Sequence, residues 1–371
     1  MGLAIIFILV PIFAAINKES LEASGCLVYQ CAEDDSNFSL DQCINSTSTD
    51  VYLRPCDNSY TCSASSNLCS FTQPTQSIAV SHVGELCNYS VDCINGGPCN
   101  QAGICSGSAK GEDCDDDSTC NPGLYCNSAS DTCQPQLSAN QSGCTSDYDC
   151  ENGAGCNSTT RVAGTCYTYF TFPDYSPLAS CTNNINLLCQ SGACFQNGKQ
   201  YYCMPSLTSN GTLPVQCSQL PTDCASNPEP KFNTIFHNTC TCGLNSAGAS
   251  YCSLFPGDQP MVEYLGQLKK WLTSEEVYIC NTMQRLGTNC IKNFWDSTNY
   301  VYFMYLYAKV NMYAKIQGND KCVQKMYTSQ YWGLQALWNN LNPANWPTPH
   351  QINDDSGSYF TLSILLLVIF S

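Results

Sequence analysis

The chain has 371 residues, enough for two or three ordinary domains, with 30 cysteines and a formal net charge of −16. Cysteine at that density belongs to a disulfide scaffold, and so acidic a surface repels polyanions, which excludes nucleic acid as a partner. No two cysteines stand in C-x-x-C spacing and the three histidines (His82, His237, His350) form no spaced pair, which argues against thioredoxin-like redox chemistry and against a zinc array.

The N-terminus opens with an apolar run, Leu3 to Phe13, followed by small Ala14 and Ala15 and then polar residues. This is the layout of a secretory signal peptide over about residues 1–20, although no Lys or Arg precedes the run. Export to an oxidising compartment is also what the cysteine load requires. A first cysteine block over 21–70 holds Cys26, Cys31, Cys43, Cys56, Cys62 and Cys69. Its last three members echo the spacing that follows, so it reads as a degenerate first repeat. The segment after Ser70, up to Val83, has no cysteine and reads as a linker.

Residues 84–166 carry three units of C-x5-C-x5-C plus a fourth cysteine: Cys87, Cys93, Cys99, Cys105; Cys114, Cys120, Cys126, Cys133; and Cys144, Cys150, Cys156, Cys166. A gap repeated three times marks an internal repeat. Few large apolar residues lie between these cysteines, so disulfides must replace a core. Gly, Asn, Asp and Ser fill the intervals, predicting short strands and loops. A fourth, looser unit spans 178–204 with Cys181, Cys189, Cys194 and Cys203. Eight further cysteines follow. Every block is even in number, which lets each close on itself; pairing between neighbouring blocks is equally compatible.

Residues 205–345 are expected to form a helical domain with those eight cysteines, its helices starting near 260. Met261, Tyr264, Leu265, Leu268 and Leu272 follow the helical period. Thr273 and Glu276 have capping-box spacing, predicting a second helix to about Leu286, stopped by Gly287. A third is expected from Asp296-Ser297 to Gly318 and a fourth over Lys321–Leu341, together a small disulfide-stapled bundle. Cys280, Cys290 and Cys322 would staple it, with a partner such as Cys252. This half carries five acidic and eight basic residues over 261–350, against 23 acidic and six basic over 1–260. The chain ends in small residues and a short apolar tail, too short to span a bilayer. Residues 353–371 read as a GPI-attachment signal, with Asn353 and Ser356 as candidate acceptors.

Six sequons, Asn37, Asn45, Asn88, Asn140, Asn157 and Asn210, are candidate N-glycosylation sites in an exported chain. Asp115-Asp116-Asp117 reads as a solvated acidic turn, since the alternating ligands of a calcium loop are missing. The aromatic run Tyr300–Ala308 reads as a buried helix face, with a ligand-binding face as the alternative. No G-x-S-x-G, H-E-x-x-H or phosphate-loop motif occurs, and a fully oxidised cysteine set leaves no thiol nucleophile, so neither an enzyme nor a cofactor is expected.

The repeats resemble the N-terminal cysteine-rich domain of the Dickkopf family. The matching features are Asp92-Cys93, Asp149-Cys150 and Cys120-Asn121-Pro122-Gly123-Leu124-Tyr125-Cys126. The resemblance covers about 80 residues. The family's adjacent double cysteine and its colipase-like second domain have no counterpart, so Wnt antagonism is not implied. Similar arrays also occur in GPI-anchored surface proteins of single-celled eukaryotes. The expectation is a glycosylated, lipid-anchored protein on the extracellular face of the plasma membrane, acting as coat, adhesion or recognition element toward an extracellular protein or glycan. The alternative is a secreted soluble regulator, either receptor antagonist or protease inhibitor.

Overall fold

The computed structural model describes residues 25–318 and Val323, apart from 33–37, 39–40, 55, 57–59, 64–65, 72–80, 95–96, 160–161, 182, 219–222, 230 and 232–233. The expected signal peptide, fourth helix and anchor signal, most of the linker, and Asn37, Cys322, Asn353 and Ser356 lie outside these residues. The described chain forms two compact units. One holds residues 76–207 and 261–300; the other holds the chain up to 75, 208–260 and the chain from 301 onward.

Among the described residues one four-cysteine design occurs six times: the degenerate first repeat, the three regular units and the looser unit each have it, and a sixth set, which the spacing does not mark, has it too. In each case the first cysteine bonds to the third and the second to the fourth. The sets are Cys43, Cys56, Cys62 and Cys69; the three regular units of 84–166; Cys181, Cys189, Cys194 and Cys203; and Cys217, Cys224, Cys240 and Cys252. In all six the third and fourth cysteines sit opposite each other on antiparallel backbone: Cys62 and Cys69, Cys99 and Cys105, Cys126 and Cys133, Cys156 and Cys166, Cys194 and Cys203, Cys240 and Cys252.

The backbone hydrogen bonds repeat with equal fidelity. The N–H of the fourth cysteine donates to a carbonyl just upstream of the first: Asp41, Glu85, Glu112, Gln141, Ser176 and Val215, at 2.7–2.9 Å. In the second to fifth repeats an entering residue pairs in parallel with the second cysteine: Ser81 with Cys93, Ser108 with Cys120, Leu137 with Cys150, Phe172 with Cys189. A turn follows whose apex is left-handed (Gly84, Gly111, Asn140 and Tyr175). The apex N–H donates to the carbonyl of the fourth cysteine, at 2.7–2.9 Å. At Gly84 the need for glycine is double: φ is +88°, and a Cβ would stand 2.9 Å from the carbonyl oxygen of Ile279. The end of the expected linker therefore belongs to the second repeat, and the fifth repeat starts upstream of 178.

Inside the third and fourth repeats the core is sulfur. Cys114, Cys120 and Cys133 form one buried cluster with only Leu124 and Cys126 against it. Cys144, Cys150, Cys156 and Cys166 form another with Ala154.

The helical region departs from expectation in three ways. Helix α1 (Gln259–Leu272) forms as its period predicts and buries Met261, Tyr264, Leu265, Leu268, Trp271 and Leu272. The predicted second helix does not form. Thr273 closes α1 instead of capping a new helix, its hydroxyl donating to the Lys269 carbonyl. Two single 3-10 turns, Glu276–Ile279 and Thr282–Gln284, then flank an extended Cys280. Gly287 is the N-cap of α2 (Thr288–Phe294), not a stop. Cys280 bonds to Cys290, and this short loop cannot accommodate a continuous helix to Leu286. Cys252 bonds to Cys224, so it is not the partner of a helix cysteine. Third, the expected 205–345 domain is divided between the two units, the boundary falling within α3 (Ser297–Asn311).

In the unit that contains the N-terminal block, β1 (Val28–Cys31) and β2 (Ile44–Ser46) flank β3 (Asp50–Leu53) in a three-stranded sheet. Val51 and Leu53 pack with Cys43, Met312 and Val323. The first block does not close on itself, because Cys26 bonds to Cys242, 216 residues away. Cys31 is also disulfide-bonded.

A non-reducing peptide map is expected to return the first-to-third and second-to-fourth pairing in all six repeats. Replacing both Cys120 and Cys133 by Ala should cost about 3 kcal/mol in urea unfolding, the loop-closure value for 13 residues, without altering the pairing of the other repeats.

Candidate functional site

Every cysteine among the described residues is disulfide-bonded. Five groups of three sulfurs lie within 4.8 Å of one another, Cys114, Cys120 and Cys133 among them. Each group is two disulfides lying side by side, and among the described residues no cysteine is free. A thiolate ligand or nucleophile would first have to be made by reduction.

Two of the three aspartates of the acidic triplet are used internally, while Asp115 is exposed. Asp116 accepts the Ser118 N–H at 2.8 Å as the cap of a 3-10 turn. Asp117 accepts the N–H of Cys126, the third cysteine, at 2.8 Å. The same position three residues after the first cysteine does this in two other repeats. Asp147 accepts from Cys156 at 2.7 Å and Ser90 from Cys99 at 3.1 Å. Asp92 and Asp149, the residues before the second cysteine, accept N–H groups at the start of their turns. Most of the acidic load in the repeats is thus turn chemistry.

The most elaborate side-chain centre is one that sequence reasoning missed. Arg285, 1% exposed, lies in the segment between the 3-10 turns and α2. Its guanidinium donates to the Tyr169 hydroxyl at 2.6 Å, to the Asp147 carbonyl at 3.1 Å and to the Thr282 hydroxyl at 3.0 Å. It stands 3.8 Å from the Asp147 carboxylate and over the rings of Tyr148 and Tyr169. Tyr169 donates to Asp147 at 3.3 Å. Burial pushes the Asp147 carboxyl up, with Arg285 pulling it back; burial also raises Tyr169. Asp117 is pushed up to about 6 by burial. Two asparagines reinforce the same junction inside this unit. Asn152 donates to the carbonyls of Val277 and Cys280, and Asn281 to those of Asp117 and Cys120, all at 2.7–2.9 Å. Trp271 donates to the Arg285 carbonyl at 2.6 Å. The centre is sealed, so its chemistry is cohesion: it fastens the irregular segment 273–287 to the third and fourth repeats. An isolated Arg between two cysteines was its one sequence signal.

Glu85 is a second missed group. It is 1% exposed; one carboxylate oxygen accepts the His82 N–H at 2.8 Å and the other has no partner among the described residues. Burial pushes it up from 4.5 to about 7, the His82 N–H opposing. The equivalent Gln141 makes the same bond, from Ser138 N–H at 2.8 Å, without a charge.

The remaining expected sites are scattered. Asn88, Asn140 and Asn210 are exposed, whereas Asn45 and Asn157 are half-buried in strands. Along Tyr300–Ala308 every side chain is buried or half-buried, with Tyr300, Phe303 and Leu306 in the interior. An open hollow of about 390 Å³ is lined by Gly25, Cys26, Gln216, Cys217, Ser218 and neighbouring small residues and contains no charged group. Among the described residues no helix is long and apolar enough to cross a membrane. No family model, no curated protein and no solved structure matches the chain. The extent of disulfide bonding is that of an extracellular or secreted protein.

Arg285→Met is expected to destabilise by about 3–5 kcal/mol in urea unfolding, since it strands a buried carboxylate. Adding Asp147→Asn, which retains the acceptor for Cys156, should recover part of that loss. For Glu85, a folded pKa above the unfolded value means that the folded state holds the proton more tightly. Its stabilisation is fully present below about pH 4.5 and is lost as pH rises through about 7. Glu85→Gln should therefore flatten the decline in stability over that window and raise stability at pH 7.5 by roughly 1–3 kcal/mol, read from urea midpoints at pH 4.5, 6 and 7.5.

Proposed function

We propose that the chain is a GPI-anchored, N-glycosylated cell-surface protein, without catalytic activity, that serves as a coat, adhesion or recognition element. The observation that carries this is the sixfold crossed-disulfide repeat. Twelve bonds hold one backbone framework in all six repeats, while the hairpin loops between third and fourth cysteines differ in length and sequence. A framework held constant under variable loops is a display device, resistant to proteolysis in an exposed setting. The spacing resemblance to Dickkopf-type modules fits this role as module design and supplies no ligand. The anchor rests on the small residues and apolar tail of 353–371, with Asn353 or Ser356 as acceptor. The partner class is an extracellular protein or glycan.

Treating intact cells with a phosphatidylinositol-specific phospholipase is expected to release the protein and to move it from the detergent to the aqueous phase. Retention in the detergent phase after treatment would refute the anchor.

A further inference from the structure

The second repeat departs from its neighbours on one surface. The residue before its first cysteine is Leu86, where the third repeat has Asp113 and the fourth Gly143. The residue two beyond that cysteine is Tyr89, where the others have Asp116 and Ser146. Those polar residues accept N–H groups of their own turns, from Ser118 and Tyr148. Leu86 and Tyr89 instead stand 49% and 71% exposed, Tyr89 the most exposed of the large apolar side chains described. Two apolar groups in water on a rigid turn carry a solvation cost that the third and fourth repeats avoid at these two positions.

Asn88 sits between them in the sequon Asn88-Tyr89-Ser90 and is exposed. Its backbone N–H is held by Asp92 at 3.0 Å, and its carboxamide has no partner among the described residues. Asn157 is the contrasting case. It is half-buried in the strand Ala154–Thr159, and its side-chain oxygen accepts the Ala179 N–H at 2.8 Å. Order of synthesis separates the two further. Cys156 bonds to Cys144, which is made before it, so that bond can close as the Asn157 sequon emerges. Cys87 bonds to Cys99, which is made after the Asn88 sequon, leaving that sequon in open chain.

We infer that Asn88 carries an N-linked glycan whose inner sugars cover Leu86 and Tyr89, and that Asn157 is unmodified. This rests on the exported, surface role proposed above. The donor is a lipid-diphosphate-linked oligosaccharide. The Asn88 Nδ2 forms a bond to C1 of the first sugar and loses a proton, and the lipid diphosphate departs with the electron pair of the broken C1–O bond.

The test uses the full chain secreted from a eukaryotic host. Peptide-N-glycosidase in heavy-oxygen water converts each glycosylated Asn to a mass-tagged Asp. Peptide mapping is expected to tag Asn88 and not Asn157. Asn88→Gln should raise the fluorescence of an apolar dye roughly two-fold, and Leu86→Asp with Tyr89→Asp, the residues of the third repeat, should return it to the starting level. A tagged Asn140 or Asn210 beside an untagged Asn88 would overturn the inference while leaving export intact, as would equal tagging of Asn157. If the chain is recovered from the medium with no sequon tagged, the inference falls while export stands; if it never reaches the medium, the exported role on which the inference rests falls first.

Discussion

The structure depends on two crossed disulfides clamping a two-stranded hairpin to the loop that precedes it. Sequence alone places too few apolar side chains between Cys87 and Cys133 to drive collapse. Loops of 12 to 28 residues are closed by the twelve repeat bonds, and each closure removes about 2–4 kcal/mol of freedom from the unfolded chain. Two such bonds per repeat rival what a small apolar core would supply. The same clamp places the fourth-cysteine N–H on an acceptor upstream of the first cysteine in all six repeats. Oxidation and backbone pairing thus enforce each other.

That coupling explains how much of the fold was legible. The three regular units could be read because five residues separate the first three cysteines. The first, fifth and sixth repeats share the fold but not the spacing. Twelve residues lie between Cys43 and Cys56, and fifteen between Cys224 and Cys240. Loop-closure entropy grows only slowly with length, so such insertions leave the clamp intact while erasing the period. The repeat is defined by hydrogen-bond register, which side-chain patterns do not report. The apolar period of α1 was legible for the usual reason, a buried stripe. The failed helix after it shows the opposite. Local capping chemistry at Thr273 and Glu276 was overruled by a ten-residue disulfide step and by the Asn152 carboxamide, which donates to the carbonyls of Val277 and Cys280.

The segment 273–287 gives the clearest view of backbone accounting. Single 3-10 turns leave carbonyls unpaired at their ends. Asn152 takes two of these from the helical segment, and Asn281 takes two from the third repeat. Arg285 takes another from the fourth repeat and adds charge to hold the carboxylate that the repeat already uses on Cys156. The residues that matter most here are therefore single, and polar, and far apart in sequence. They have no period and match no motif, so only the fold could reveal them. The acidic residues of the repeats lose their functional ambiguity for the same reason: Asp116, Asp117, Asp147 and Asp149 are each committed to a backbone donor.

What is left free to vary is the outer surface. Once sulfur and backbone specify the fold, exposed positions carry almost no structural obligation, and substitutions there cost little. The second, third and fourth repeats differ at the turn around the first cysteine: Leu86 against Asp113 and Gly143, Tyr89 against Asp116 and Ser146. Each repeat closes its own pair of crossed disulfides, and only single polar groups such as Asp147, Asn152 and Asn281 tie the third and fourth repeats to the segment 273–287. The variable, stapled exterior follows from the same physics that lets sulfur stand in for apolar side chains inside the third and fourth repeats.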